Sequence, residues 1–251
     1  MNHEQSTPPE YDRTYARIYH VAKLAINAVS ALRVNGAENI PDSPAIYAAN
    51  HNAVYDPLWL ALAYYEHAHQ PLRFLAKKGY FDGKGIDDKG KFGRITKMLV
   101  HATGQIPVDR ENGKNDGSID AAVAALNDGS SIGIFPEGSL SVRGELSRLH
   151  SGIARISLRA ENDIPIVPVA IAPKDKRLGR SVMSVTFGEP IDITEYAKPP
   201  RKFLPELAKA RFITDNLEAE LAELTGYART GRYAKPGEVR RRQAAEKATK
   251  R

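Results

Sequence analysis

Between Tyr11 and Val34, apolar side chains recur at three- and four-residue spacing: Tyr15, Ile18, Tyr19, Ala22, Ile26 and Val29. Arg13, Arg17, Lys23 and Asn27 fall mostly off that stripe. The spacing predicts an amphipathic helix over residues 11–33. Residues 1–10, polar and proline-bearing, show no such period and are expected to be disordered. Past a turn region at Gly36–Pro44, short apolar runs alternate with helical stretches. Ala45–Ala49, Leu72–Ala76, Ile106–Val108, Ser131–Phe135, Ile166–Ile171 and Val182–Phe187 read as strands. Pro57–Ala68, Phe92–Val100, Ser118–Asn127 and Gly152–Ala160 read as helices, and Phe203–Thr225, opened by Pro199–Pro200, as a longer closing helix. Such alternation predicts an α/β fold: a single domain over 34–227 with a mixed, largely parallel sheet flanked by helices, preceded by the amphipathic helix.

Composition narrows the chemistry. The chain has 251 residues, 42% hydrophobic and 26% charged, which excludes collagen, coiled coil and wholesale disorder. With no cysteine there is no disulfide framework, no thiolate nucleophile and no Cys-ligated metal. The net charge of +6 is uneven: residues 228–251 hold nine Lys/Arg and two Glu, a local +7, which leaves −1 for residues 1–227. A near-neutral body with a basic tail argues against a nucleic-acid-binding domain. The tail suits an anionic membrane surface, at roughly 1 kcal/mol per nearby Lys or Arg, and equally suits RNA or a solvated helix end. No run approaches the ~20 apolar residues of a spanning helix, and no secretory signal is legible, so a cytoplasmic location is expected. The 11–33 helix has two readings, one lying in a membrane interface and one packed on the domain's own core.

In open α/β sheets, ligands bind at the carboxyl ends of the strands. The loops after Ala49, Val108 and Phe135 are therefore where chemistry is sought. The first, Asn50-His51-Asn52-Ala53-Val54-Tyr55-Asp56-Pro57, pairs a histidine with a carboxylate five positions on. Bonded to one ring nitrogen, Asp56 would fix the tautomer of His51 and leave the other nitrogen to take a proton. Asp before Pro also suits a helix N-cap, and the two roles are compatible. In the second loop Arg110 offers a planar fork for phosphate, or is a surface arginine. In the third, Phe135-Pro136-Glu137-Gly138-Ser139, a tight turn would present Glu137 and backbone N–H groups. Ser139 lacks the frame of a nucleophile elbow, Gly79–Gly93 lacks the Gly-Lys-Ser/Thr of a P-loop, and His51 with Asp56 lacks a third metal ligand at useful spacing.

Together, Asn50-His51…Asp56, Gly104…Arg110, Phe135-Pro136-Glu137-Gly138-Ser139 and Ile164-Pro165-Ile166-Val167-Pro168-Val169 resemble the four ordered motifs of the glycerolipid acyltransferases, above all the bacterial 1-acylglycerol-3-phosphate (lysophosphatidic acid) acyltransferases. The resemblance covers about residues 34–190. It implies acyl transfer from acyl-CoA or acyl-carrier protein to the free hydroxyl of a lysophospholipid, giving phosphatidic acid, with no cofactor and no metal. By position it makes His51 the general base and Asp56 its orienting partner. Arg110 and Lys77 become phosphate ligands, Glu137, Gly138 and Ser139 the acceptor-binding motif, and Pro168 part of the acyl-site region. Backbone N–H groups around Gly138 are expected to face the developing oxyanion. Two departures bear on the acceptor: Leu140 stands where the family has a cation after Glu-Gly-Thr, a charge that Arg143 could restore, and His150 where a lysine often precedes the glycine. A different lysolipid or glycerol 3-phosphate is the alternative acceptor, and a thioesterase using the same pair the alternative activity. The expected setting is peripheral, on the inner face of the cell membrane.

Overall fold

The computed structural model describes residues 10–83, 93–108, 116–142, 144–177, 180–197, 201–235, 237–239 and 241. Helix α1 (Glu10–Val29) passes without a connecting residue into strand β1 (Ser30–Asn35). The helix is thus shorter than its spacing predicts. Residues 30–35 pair in parallel with a strand near the C-terminal end of the sheet, and Leu32 and Val34 turn to the core while Arg33 stays exposed. A period of two over so few residues is hard to tell from the end of a helical stripe, and the ladder decides.

Next come β2 (Ile46–Ala49), α2 (Asp56–Ala68), β3 (Leu72–Lys77), the single turn α3 (Lys78–Phe81) and α4 (Gly93–Ala102). They are followed by β4 (Ile106–Val108), α5 (Asp116–Asn127), β5 (Ser131–Ile134), the two-residue β6 (Glu145–Leu146) and α6 (Gly152–Arg159). A long hairpin of β7 (Ile166–Arg177) and β8 (Arg180–Phe187) leads to α7 (Glu206–Thr225) and the two-residue β9 (Ala228–Arg229). The main sheet has the order β1-β8-β7-β2-β5-β3-β4. Strands β7, β2, β5, β3 and β4 are mutually parallel, and β8 and β1 run against them. The expected mixed, largely parallel sheet is therefore present, with β1 added and the hairpin longer than its apolar run.

Burial on both faces explains why the central strands read as unbroken apolar runs. Ile46, Ala48, Ile132, Ile134 and Ile166 pack with α5, α6 and α7 on one face. Ala45, Tyr47, Ala49, Val167 and Val169 pack with Leu60 and Tyr64 of α2 on the other. Helix α1 lies on the α2 side, where Tyr15 and Tyr19 are buried and meet Tyr65 at ring distances of 5.5 and 4.3 Å. The aromatic part of its periodic stripe thus faces the domain, whereas Val21 and Leu24, off that stripe, are exposed.

Two features of the sheet shape its upper edge, where the five parallel strands end. Ala49 at the end of β2 pairs with Val169, but β7 continues to Arg177, so the hairpin rises past β2 as a wall. Within the sheet, a Cβ on Gly133 would lie 2.4 Å from Cε1 of Phe74. Only glycine lets that ring lie flat across β5, so Gly133→Ala should destabilise the domain by about 1–3 kcal/mol, as overpacking does. Denaturant unfolding of the variant tests this; an unchanged midpoint would refute it.

Candidate active site

The loop after β2 is built around two polar side chains. Asn50 is buried, and it clamps β7: its amide nitrogen donates to Ile171 O at 3.0 Å and its oxygen accepts from Ile171 N at 2.7 Å. This fixes the loop's first residue to the wall. Asp56 opens α2 but does not cap it. Its Oδ2 turns back to accept from Asn52 N and Ala53 N, each at 2.7 Å, and lies 3.1 Å from His51 Nδ1. The cap role open to an Asp-Pro pair is not taken up, because the carboxylate is spent on the loop. Where Oδ2 accepts from the ring, the proton lies on Nδ1 and Nε2 is left as an acceptor. Among the described residues, Nε2 has no hydrogen-bond partner. The His51 side chain is 19% exposed and that of Asp56 3%, so the pair joins a reachable ring to a buried anion.

An aromatic column fixes the ring plane. His51 stacks on Phe135 at 4.3 Å, and Phe135 on Phe74 at 6.0 Å, the ring that Gly133 admits.

The loop after β5 begins with a turn in which Gly138 N donates to Phe135 O at 3.0 Å, with Gly138 at φ 74°. Pro136 suits the second position of such a turn, and Gly138 has no room for a side chain, since a Cβ would lie 2.9 Å from the His150 ring. Glu137 points inward and is 1% exposed. Its Oε1 accepts from His51 N at 2.8 Å; its Oε2 accepts from Ser147 N at 2.8 Å and from the Ser141 hydroxyl. Burial pushes the Glu137 carboxyl above the ordinary glutamate range, against the opposing pull of those donors. Ser141 N in turn donates to His51 O at 2.7 Å, and Asn52 Nδ2 to Ser141 O at 3.2 Å. The two loops are stitched together from both directions.

The structure therefore brings His51, Asp56, Glu137, Gly138 and Ser139 to one edge. Ser139 and Leu140 are half-buried beside the turn. Lys77 ends β3 on the same edge, exposed, and pairs in register with Val108 of β4. Arg110 and Arg143, and most of the segment Lys78–Lys91, lie outside the described residues. Pro168 sits in β7 opposite Ala48, and its carbonyl accepts from Gly188 N at 2.8 Å. It is buried in the sheet beneath the loops. Sequence reasoning missed the bracing side chains Asn50, Asn52, Phe135, Ser141 and Ser147. The signal available was weak: small polar residues crowding each motif, which serve loops of any kind.

Known proteins share this sequence pattern and fold. A family model described as Acyltransferase matches residues 31–172. The 1-acyl-sn-glycerol-3-phosphate acyltransferase of Bacillus subtilis is 27% identical over 206 residues, covering 80% of this chain and 92% of that protein. A chloroplastic 1-acyl-sn-glycerol-3-phosphate acyltransferase of Brassica napus is 26% identical over 172 residues, covering 64% of this chain and 44% of the longer plant protein. The crystal structure of the 1-acyl-sn-glycerophosphate acyltransferase of Thermotoga maritima shares the fold, with a TM-score of 0.57 at 21% identity over 90% of this chain and 83% of that one. The matched region contains β1 through the first half of β7, and with it every motif residue named above: this chain belongs to the acyltransferase family.

Proposed function

We propose that the protein transfers a fatty acyl group from a thioester, acyl-CoA or acyl-carrier protein, to the free hydroxyl of 1-acylglycerol 3-phosphate, giving phosphatidic acid. The observation that carries this reading is the His51–Asp56 pair, held at a strand end by two backbone amides. His51 Nε2 accepts the hydroxyl proton as the oxygen attacks the thioester carbonyl. The C–O bond forms, the tetrahedral intermediate collapses, the C–S bond breaks, and the imidazolium returns the proton to the thiolate. A positioned base of this kind contributes ~10²–10⁴-fold. Gly138 N–H is committed to Phe135 O, and Ser141 N–H to His51 O. The amides of Ser139 and Leu140, between them, are those we assign to the oxyanion. Lys77 and Arg110 hold the acceptor phosphate and so bring the hydroxyl to His51. Glu137, whose oxygens are occupied by protein donors, acts by bracing the two loops.

The acceptor is a lipid, and the setting we propose is the inner face of the cell membrane; the apolar surface supports contact with a membrane. No described helix is long and apolar enough to cross a bilayer. Among the described residues, eight of the twelve exposed large hydrophobic ones lie on three neighbouring elements: Val21 and Leu24 on α1, Val54, Tyr55 and Leu58 after His51, and Ile95, Met98 and Leu99 on α4. Helix α1 touches both α2 and α4. On α4 the apolar stripe is opposite the buried Gly93, Thr96 and Val100 and is flanked by exposed Arg94 and Lys97, the pattern of an interfacial helix.

Because the protein has no cysteine, a thiol dye reports only released CoA. Release from palmitoyl-CoA is expected to require 1-acylglycerol 3-phosphate and to fall at least ~10²-fold in His51→Ala. Release without acceptor would indicate a thioesterase, and an unimpaired His51→Ala would end the assignment. Replacing Leu24 and Met98 together by Ser should weaken sedimentation with phosphatidylglycerol-containing vesicles at least about tenfold, since each side chain contributes about 1.5–3 kcal/mol when fully buried and less when it only enters the interface; unchanged sedimentation would refute the docking face. Glu137 gives a stability signature. Its raised pKa means the stability it adds is complete below the ordinary glutamate range and is lost as pH rises through the folded value. The thermal stability of wild type relative to Glu137→Gln should therefore fall as pH rises across that window, and a constant difference would contradict it.

A further inference from the structure

The segment that follows α7 does not leave the domain. It returns along residues 144–150, which hold the Glu137 turn from behind. Strand β9 pairs in parallel with β6, Glu145 opposite Ala228 and Leu146 opposite Arg229. Ala228 N donates to Gly144 O at 3.0 Å, Thr230 N to Leu146 O at 3.0 Å, and Arg148 N to Arg232 O at 2.8 Å. Arg229 Nε lies 2.9 Å from Oε1 of Glu218, a carboxylate only 3% exposed, whose other oxygen accepts from Leu149 N at 3.2 Å. Tyr233 stacks on His150 at 4.6 Å, with the Arg148 guanidinium 5.5 Å above its ring.

The opposite side of residues 144–150 touches the site. Ser147 N donates to Glu137, whose other oxygen accepts from His51 N. His150 N donates to Pro136 O at 2.9 Å, and the His150 ring fills the space over Gly138. Residues 144–150 contain no regular structure beyond the two residues of β6. Their shape is set by what grips them on each side, and the outer grip lies beyond residue 172, where the family match ends.

We propose that residues 228–233 form a clamp that sets the position of His51 through the 144–150 segment and Glu137, with Arg229 and Tyr233 as positioning residues for acyl transfer. The proposal rests on the acyltransferase reading above and goes beyond it. It assigns the start of the basic C-terminal stretch a task inside the site: Arg229 is paired with Glu218, and Arg232 lies 3.9 Å from Glu145 and 3.6 Å from Glu238. Tyr233 is the better probe, because it is 44% exposed and its removal leaves no buried cavity. Stacking of this kind is worth about 0.5–1.5 kcal/mol, enough to hold a loop and too little to hold a domain.

The test compares the full-length protein with its Tyr233→Ala and Tyr233→Phe variants by three readings. Amide hydrogen exchange of residues 50–53 and 136–150 is followed without substrate, steady-state transfer from palmitoyl-CoA to 1-acylglycerol 3-phosphate is measured, and vesicle sedimentation is recorded. In Tyr233→Ala, exchange at the His51 and Ser141 amides should accelerate and kcat fall about tenfold with KM little changed, as misplacement of a base predicts. Sedimentation should be unaltered, and Tyr233→Phe, which keeps the ring, should restore both other values. Wild-type exchange and kcat in Tyr233→Ala would overturn the clamp, as would a loss confined to vesicle binding. Because the exchange reading needs no turnover, failure of the clamp and failure of the proposed reaction are told apart.

Discussion

The backbone amides of His51 and Ser147 both donate to one carboxylate, that of Glu137, which has almost no contact with water. Strands β2 and β5 are parallel neighbours, so their loops leave the sheet side by side with polar groups that the ladder no longer satisfies. An unpaired buried amide costs about 1–3 kcal/mol, and a single glutamate removes two such penalties while tying one loop to the other. The tie determines where His51 stands. With His51 N held from below, Asp56 has only to orient the ring, and Phe135 only to keep it flat. Desolvating Glu137 costs free energy, visible in its raised pKa, and the fold accepts that cost at a point where both motifs meet.

Most of the sheet was legible in the sequence because its strands are buried on both faces and read as unbroken apolar runs. Strand β1 was not, since Leu32, Arg33 and Val34 continue the helical stripe before them and their partner β8 is some 150 positions away. Strands β6 and β9 are too short for any periodicity. At the site, His51, Asp56 and Glu137 stand out because charged groups at strand ends are unusual. Their couplings do not, because a carboxylate that braces a loop and one that binds substrate look alike until its oxygens are traced. Glu137 is the instance: the motif marks it, and only its hydrogen bonds reveal that both oxygens face protein donors. Asp56 is another, spelled as a helix cap and folded as a clasp on its own loop.

The reversal of strand direction at β8 gives the site its asymmetry. On the β3–β4 side the edge is low and carries Lys77; on the β7–β8 side the hairpin stands well above it. Asn50 joins wall to loop, so the higher side of the edge rises next to His51.

The junction at Val29–Ser30 has a mechanical consequence. Strand β1 runs against β2, and Val34 lies level with Ile171, where Asn50 is fastened, so Ser30 stands about 13 Å beyond that anchor at strand spacing. Helix α1, about 30 Å long, is fused to that point with no linker to act as a joint. It cannot pivot without bending a strand held in a six-residue register. Any surface that captures the helix thereby captures the whole sheet in one pose, and the depth at which His51 works becomes a fixed dimension of the fold, like the offset of a tool from its handle.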